Sequence, residues 1–209
     1  MQNSFSLHLN PISAKDLKLK IDQKELIIDT RFISSIFTTG SIPSAIFIGI
    51  QGNIEAWSHV LLHDKSVEIY LITEDNIDLS ELLFRFNRAG FKNIKGYLEG
   101  GFDAWIQEGF EIEPYKLIYP TDFIQEIDSI DLQSIIDVRS EREFQHQHIK
   151  DSKNIPLESI LNNLHEFNSD NQYYLICQGG YRSIIAASIL KRNSIHQTID
   201  VYGGIKNFS

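Results

Sequence analysis

The chain has a single cysteine, at the point where a strand pattern gives way to a helix pattern. Cys177 closes the apolar run 173–177, and a helical pattern begins at Ser183. A strand, loop and helix in this order collect backbone N–H groups at the helix N-terminus, where the helix dipole favours an anion. Such a position also stabilises a thiolate, the reactive form of cysteine. The pattern therefore predicts a nucleophilic thiolate beside an anion-binding loop.

The loop itself has residues suited to that task. Adjacent glycines allow the positive φ angles that turn successive N–H groups toward one point, and an arginine adds a fixed positive charge. With Cys177 as the nucleophile, we predict that an anionic substrate contacts the six residues that follow: Gln178, Gly179, Gly180, Tyr181, Arg182 and Ser183. The alternative is that Cys177 is a small buried hydrophobic residue, as lone cysteines often are. The neighbouring glycines, arginine and helix start favour the reactive interpretation.

Composition limits the classes of partner. The 209 residues carry a formal net charge of −9, which disfavours nucleic acids and anionic membranes because phosphate binding needs a basic face. One cysteine excludes an intrachain disulfide and a cysteine-rich metal cluster. The first eight residues lack the pattern of a signal peptide, and no apolar run is long enough to span a membrane. We therefore expect a cytoplasmic protein, whose setting keeps the cysteine reduced.

Strand and helix patterns alternate along the chain, and the series occurs twice. Helical patterns include 79–89, 158–167 and 183–192, while Pro114 and Pro120 interrupt structure between the two series. Alternating strands and helices indicate α/β domains with mostly parallel sheets and helices on both faces. The sequence therefore predicts two domains, at residues 1–114 and 115–209.

Three pairs of matching segments support an internal repeat. An Asp-x-Arg at the end of a strand, an apolar strand and a Gly-Gly pair recur at separations of 103 to 108 residues: 29–31 with 137–139, 69–73 with 173–177, and 100–101 with 203–204. The two copies differ where chemistry would occur. Thr73 stands in place of Cys177, and the loop after it has three carboxylates and no glycine. We expect the first copy to keep the fold, to lack the site and to serve a structural or docking role.

These residues resemble the rhodanese (sulfurtransferase) family in a tandem arrangement, and the resemblance covers most of 121–209. The motifs that carry it are Asp137-Val138-Arg139, Glu143-Phe144, His148-Ile149, Asn154-Ile155-Pro156, the loop 177–183 and Gly203-Gly204. The whole chain is also similar to the tandem rhodanese part of proteins that carry a metallo-β-lactamase-fold module. That module is absent here, and no acidic ligand motif follows His146 and His148, so no metal is expected.

The resemblance implies that Cys177 takes a sulfane sulfur from thiosulfate or a persulfide and passes it to a thiol, cyanide or protein acceptor. It implies no cofactor. Backbone N–H groups of 178–183 would stabilise the thiolate and the leaving anion, and Arg182 would bind the sulfonate end of thiosulfate. We expect Asp137 and Arg139 to be structural, with Arg139 able to pair with Glu143.

Two alternatives stay open. The family's phosphatase and arsenate-reductase relatives have five residues between the cysteine and the arginine, whereas four lie between Cys177 and Arg182, which suits a sulfur atom better than a phosphoryl group. Within sulfur chemistry, the protein is either an enzyme with steady turnover or a persulfide carrier or sensor that hands sulfur to a protein partner.

Overall fold

The computed structural model describes residues 9–208. The first eight residues, for which the sequence predicts no signal peptide, and Ser209 lie outside the described residues. Between residues 9 and 208, no helix has both the length and the apolar character that crossing a membrane requires.

The chain divides into two compact units. The first runs through Phe32 and resumes over Ile48–Ile112, and the second comprises Ile33–Phe47 and the chain from Glu113 onward. Most of the first sequence repeat therefore lies in the first unit, while its segment Ile33–Phe47 groups with the second.

The strands are short, and ten are described within residues 9–208. In chain order they are β1 (Asn10–Ile12), β2 (Leu26–Asp29), β3 (Ile46–Phe47), β4 (Ile69–Ile72), β5 (Ile94–Leu98), β6 (Lys116–Ile118), β7 (Ile135–Asp137), β8 (Lys153–Asn154), β9 (Tyr173–Ile176) and β10 (Thr198–Val201).

Eight α-helices are described over the same range. They are α1 (Ala14–Asp22), α2 (Ile33–Thr39), α3 (Ile54–Leu61), α4 (Leu79–Arg88), α5 (Gly101–Gln107), α6 (Pro120–Glu126), α7 (Glu141–His146) and α8 (Tyr181–Arg192). Short 3-10 helices occupy Ile127–Ser129, Leu132–Ser134, Leu157–Glu166 and Ile205–Phe208.

Both units are built on parallel sheets with the same strand order. In the first unit the strands lie in the order β1-β5-β4-β2, and in the second unit the order is β6-β10-β9-β7-β8. The strands of the second sheet pair in parallel throughout. Each strand of the first series thus has a counterpart in the second, which confirms the predicted repeat and the α/β fold class.

The middle strand of the second unit is fully buried because it has a neighbouring strand on each side. All four residues of β9 are buried, as the continuous apolar run 173–176 predicts for a central parallel strand. The helix that follows, α8, is also unusually buried, with nine of its twelve residues away from solvent. These two elements form the rigid frame of the loop that joins them.

Two local features add to the predictions. The segment 158–167, predicted as helical, is a helix of the 3-10 type over Leu157–Glu166, with a kink at Asn163. The Asn163 side-chain amide donates to the Ser159 carbonyl, and asparagine competes for backbone hydrogen bonds in this way. The strands β1 and β6 were missed. Each has only three residues at a sheet edge, and Pro11 lies within the first, where a missing N–H is tolerated.

Candidate active site

Cys177 lies at the carboxyl end of the central strand β9, immediately before the turn into α8. It is a free cysteine and only 1% exposed. Ligand sites in open parallel sheets lie outside the carboxyl ends of the strands, so the predicted nucleophile stands where such sites are found.

The thiol is buried among polar groups. The Gly180 N–H donates to Sγ of Cys177 at 3.0 Å, and the Ser183 hydroxyl lies 3.4 Å from the same sulfur. Gly180 has φ of +96° and caps the N-terminus of α8, a conformation that glycine adopts without strain. The structure thus brings one of the predicted N–H groups onto the sulfur, together with the Ser183 hydroxyl, and contacts of this type stabilise a thiolate.

The other loop residues face different neighbours. Gln178 and Gly179 are exposed, and the Gln178 side chain accepts from Arg139 at 3.4 Å. Tyr181 is half-buried, with its ring 5.8 Å from the ring of Phe47 within the same unit. The exposed pair marks the side on which a substrate would approach the sulfur.

Arg182 makes a bidentate ion pair with Glu143 on α7. Its two terminal nitrogens donate to the two carboxylate oxygens at 2.8 and 2.7 Å. These bonds, with a hydroxyl bond from Ser140, lower the pKa of Glu143 from its ordinary value of 4.5 to about 2 against an opposing effect of burial. The pKa of Arg182 is raised, chiefly by Glu143 and in smaller part by the charge of Cys177, so the guanidinium lies within electrostatic reach of the thiolate.

The expected pairing of Arg139 with Glu143 is wrong. Arg139 is buried and binds Asp137 through Nε and a terminal nitrogen, the shortest distance being 2.6 Å, and it also donates to the Gln147 carbonyl. Asp137 is only two residues from Arg139 in sequence, so its carboxylate binds the Arg139 guanidinium. Glu143 binds Arg182 instead. Arg31 and Asp29 form the same buried pair in the first unit, as a structural role predicts.

A family model described as the rhodanese-like domain matches the chain twice, over residues 13–108 and 119–209. The chain belongs to the rhodanese-like domain family. Rhodanese-like domains thus form both repeats, and the resemblance predicted from the motifs is confirmed at this level. Membership of this family places the chain among sulfurtransferases and sulfur carriers. It does not identify a specific sulfur donor.

Three relatives illustrate the likeness. A Bacillus subtilis (strain 168) protein named "Putative sulfur carrier protein YrkF" is 28% identical over 161 residues, which is 77% of this chain and 75% of that protein. A crystal structure of SSP1007 from Staphylococcus saprophyticus is 32% identical, with a TM-score of 0.42, over 45% of this chain and 93% of that one. A rhodanese-like domain protein from Staphylococcus aureus is 30% identical, with a TM-score of 0.42, over 45% of this chain and 91% of that one. None of these three is described as a metallo-β-lactamase fusion.

The first rhodanese-like unit has the same frame with different chemistry. Thr73 directly follows β4, and the three carboxylates after it have local roles or neighbours. Glu74 accepts from the Phe32 N–H at 2.8 Å, and Asp78 caps α4 by accepting from two of its N–H groups. The Asp75 carboxylate lies 3.0 Å from the position a Cβ on Gly101 would take. Negative charge thus stands where the second unit would receive an anion.

A second cation lies beside the loop and was missed from the sequence. The amino group of Lys206 is 3.8 Å from the position that a Cβ on Gly179 would take. Lys206 follows the Gly-Gly pair by two residues, so a basic residue just after that pair was the available signal. Its position adds positive charge on the exposed side of the loop.

Of the two histidines considered as metal ligands, His148 has ordinary structural contacts. His148 Nδ1 lies 2.8 Å from the Phe144 carbonyl oxygen, and its ring stacks on the Phe144 ring at 4.1 Å. In the described part of the chain, no cluster of three or more histidine, cysteine, aspartate or glutamate residues could hold a metal ion.

Proposed function

We propose that the second unit transfers a sulfane sulfur through a persulfide on Cys177. The observation that carries the proposal is the contact of the Cys177 sulfur with the Gly180 N–H and the Ser183 hydroxyl at the start of a twelve-residue helix. These groups favour the thiolate, the form that attacks sulfur. A reducing compartment such as the cytoplasm would keep it available.

The reaction consists of two displacements. The Cys177 thiolate forms a bond to the outer sulfur of thiosulfate, the sulfur–sulfur bond of thiosulfate breaks, and sulfite leaves with the electron pair. An acceptor thiolate or cyanide then attacks the outer sulfur of the persulfide and releases the Cys177 thiolate. A covalent intermediate of this kind replaces one difficult transfer by two easier ones. Backbone N–H groups of 178–183 and the cation of Lys206 would stabilise the anions at each stage.

A steady-state assay with thiosulfate and cyanide tests the enzymatic form of the proposal. Turnover of many equivalents of thiocyanate per protein would support a sulfurtransferase. A sulfur adduct on Cys177 with negligible turnover would support the second candidate, a persulfide carrier that serves a protein acceptor. Absence of both would contradict the proposal.

The engagement of Arg182 by Glu143 favours the carrier. Both terminal nitrogens of the guanidinium are bound to that carboxylate, so the sulfonate of thiosulfate would have to displace a charge-assisted pair. A protein persulfide brings no sulfonate and does not need this clamp. The first unit, which we propose is a rhodanese-like domain within 1–114 that lacks the catalytic cysteine, would then have a structural role or bind the acceptor protein.

Glu143→Gln is expected to raise kcat/KM for thiosulfate roughly fivefold, equivalent to about 1 kcal/mol. The neutral amide holds the guanidinium less strongly and removes one negative charge from the approach of a dianion. Glu141→Gln on the same helix is the matched control, since Glu141 is exposed and its removal changes the net charge equally. A lower kcat/KM for Glu143→Gln, with no change for Glu141→Gln, would mean that Arg182 assists the reaction in the position in which Glu143 holds it. The interpretation that Glu143 inhibits thiosulfate binding would then be wrong.

The same variant is expected to change the acid stability. The folded pKa of Glu143 is depressed, so its stabilising contribution is complete above the ordinary value of 4.5 and is lost as the pH falls toward about 2. Because the side chain is 34% exposed, solvent screening reduces this contribution to about 1–2 kcal/mol. Denaturant unfolding should therefore show wild type and Glu143→Gln converging between about pH 5 and about pH 2. A constant difference across that range would contradict the assignment.

When Cys177→Ser has removed the original thiol, adding Thr73→Cys as the one change in the first unit is expected to give no sulfur transfer. The new thiol would lie among Glu74, Asp75 and Asp78, whose charges oppose both a thiolate and an anionic donor. The expected result is thiocyanate formation at the uncatalysed rate measured in buffer without protein. Turnover within about tenfold of wild type would show that the first unit has kept a working loop.

A further inference from the structure

A buried acid lies behind the reactive loop, and the mechanism above does not use it. Asp200 is 3% exposed, and its Oδ1 has no hydrogen-bond partner among the described residues. On the two flanking strands it pairs in register with Leu117 and Leu175, both apolar. An ionised carboxylate in such a place, with one oxygen unsatisfied, is costly. Packing alone would favour an apolar residue here.

Ser183 connects this acid to the nucleophile. Its side chain is completely buried, and its oxygen lies 3.4 Å from the Cys177 sulfur. The same hydroxyl lies close enough to Asp200 to lower the pKa of that carboxyl group by hydrogen bonding. A hydroxyl has one proton to donate and can accept through its lone pairs. It donates to Asp200 when that group is ionised, and it donates to the Cys177 thiolate when Asp200 is protonated. One hydroxyl cannot donate to two anions at once.

All three residues are replaced together in the first unit. Thr73 stands for Cys177 and Leu79 for Ser183, at the same offset of 104. Tyr97 stands for Asp200, because it pairs with Leu71 of β4 as Asp200 pairs with Leu175 of β9. The unit without the thiol therefore also lacks the bridge and the acid, although the sheet is the same. The joint replacement indicates that Cys177, Ser183 and Asp200 act together in the chemistry of the second unit, since the sheet itself forms without them.

We propose that Asp200 is a positioning residue that takes up the proton Cys177 gives up, with the Ser183 hydroxyl passing it between them. The inference deepens the proposed function, because it rests on Cys177 acting as a thiolate. In the exchange, the thiol proton moves to Ser183 Oγ and the former hydroxyl proton moves to the Asp200 carboxylate. The negative charge passes from oxygen to sulfur, and the site keeps its net charge.

The surroundings of Asp200 agree with this exchange. Burial raises its pKa to about 7, against a smaller lowering effect of the Ser183 hydrogen bond, so the group can gain or lose a proton near neutrality. The group facing it from α8 is Ser183, and from β6 and β9 the facing residues are leucines. The other ionisable groups on these three elements have contacts elsewhere or are exposed: Arg182 with Glu143, Lys191 with Glu113, Arg192 with the Ser44 carbonyl, Tyr181 with Phe47, Tyr173 with the Asn168 N–H, Tyr174 with Gln172, and the exposed Lys116.

The rate at which iodoacetamide alkylates Cys177 reports the thiolate and tests the coupling. Measured from about pH 5 to about pH 10, wild type should show two ionisations that belong to the Cys177–Asp200 pair. Asp200→Asn should show one, with its midpoint lower by about one unit because a nearby negative charge is gone. In a Ser183→Ala background, the shift caused by Asp200→Asn should shrink.

Asp170→Asn is the matched control, since it removes one negative charge from an exposed position of the same unit and should leave the wild-type profile unchanged. A profile for Asp200→Asn that superimposes on wild type would overturn the proposal.

A second measurement needs no substitution and covers the case in which Asp200→Asn fails to fold. Carbon-13 labelling of aspartate carboxyls allows the titration of Asp200 to be followed by NMR before and after alkylation of Cys177. Alkylation removes the competing thiolate, so the Asp200 midpoint should fall; an unchanged midpoint would overturn the coupling. Neither experiment uses a sulfur donor. A coupled pair in a protein that forms no persulfide would therefore contradict the proposed function and leave this inference standing.

Discussion

Replacing Cys177 with serine is expected to lower the rate of sulfur transfer at least about 1,000-fold, to the uncatalysed rate in buffer. A serine hydroxyl is a far weaker nucleophile toward sulfur and is not ionised near neutral pH. The replacement changes one atom, so the hydrogen bond from the Gly180 N–H and the contact with the Ser183 hydroxyl can persist, and the fold should be retained. Thiocyanate release from thiosulfate and cyanide measures the effect.

One result would contradict that expectation, and a second would call for a different test. Activity of Cys177→Ser within about tenfold of wild type would show that another group carries the sulfur. Loss of activity with loss of the cooperative unfolding transition would leave the chemistry unexplained by this variant. In that case, alkylation of the wild-type thiol by iodoacetamide gives the same test on an unaltered chain, since residual turnover of the alkylated protein would equally exclude Cys177.

Gly204→Ala is expected to destabilise the second unit by about 3 kcal/mol or more and to abolish transfer with it. A Cβ at this position would lie 2.2 Å from the carbonyl oxygen of Cys177, and the backbone φ of +68° adds strain for any other residue. The next residue, Ile205, donates its N–H to that same carbonyl at 2.8 Å. The Gly-Gly turn therefore holds the base of the reactive loop, and an added methyl would push Cys177 away from its donors.

Gly109→Ala separates the clash from the backbone strain. Gly109 has a φ of +70°, and a Cβ there would meet nothing within 4 Å, so only the strain of about 1–2 kcal/mol applies. Urea unfolding of both variants measures the difference. Equal destabilisation by the two substitutions would mean that the approach of Gly204 to Cys177 has no energetic importance.

The frame of the site could be predicted from the sequence because its signals are local. The apolar run 173–176 fixes a buried strand, and the glycines after Cys177 fix where the turn to α8 occurs. The repeat could be recognised because strand ends and Gly-Gly pairs recur at nearly constant separation. Parallel pairing then follows from the alternation of strands and helices, without knowledge of any contact.

The partners of the site residues could not be predicted in the same way. Arg182 binds Glu143, which is 39 residues away in sequence, and nothing local distinguishes it from other acids of 141–166. Arg139 was assigned to that glutamate, although its own neighbour Asp137 was the closer choice. Asp200 gave a weak signal, a charge within an otherwise uncharged strand, but its link to Cys177 through Ser183 exists only in the folded chain.

The central claim is that the sulfur atom of Cys177 accepts sulfur, and mass spectrometry after incubation with thiosulfate tests it most directly. The account predicts an added mass of one sulfur atom, located on the peptide that contains Cys177, removable by a reducing thiol and absent from Cys177→Ser. Unmodified protein after prolonged incubation with thiosulfate and with a low-molecular-weight persulfide, or an adduct on another peptide, would contradict it.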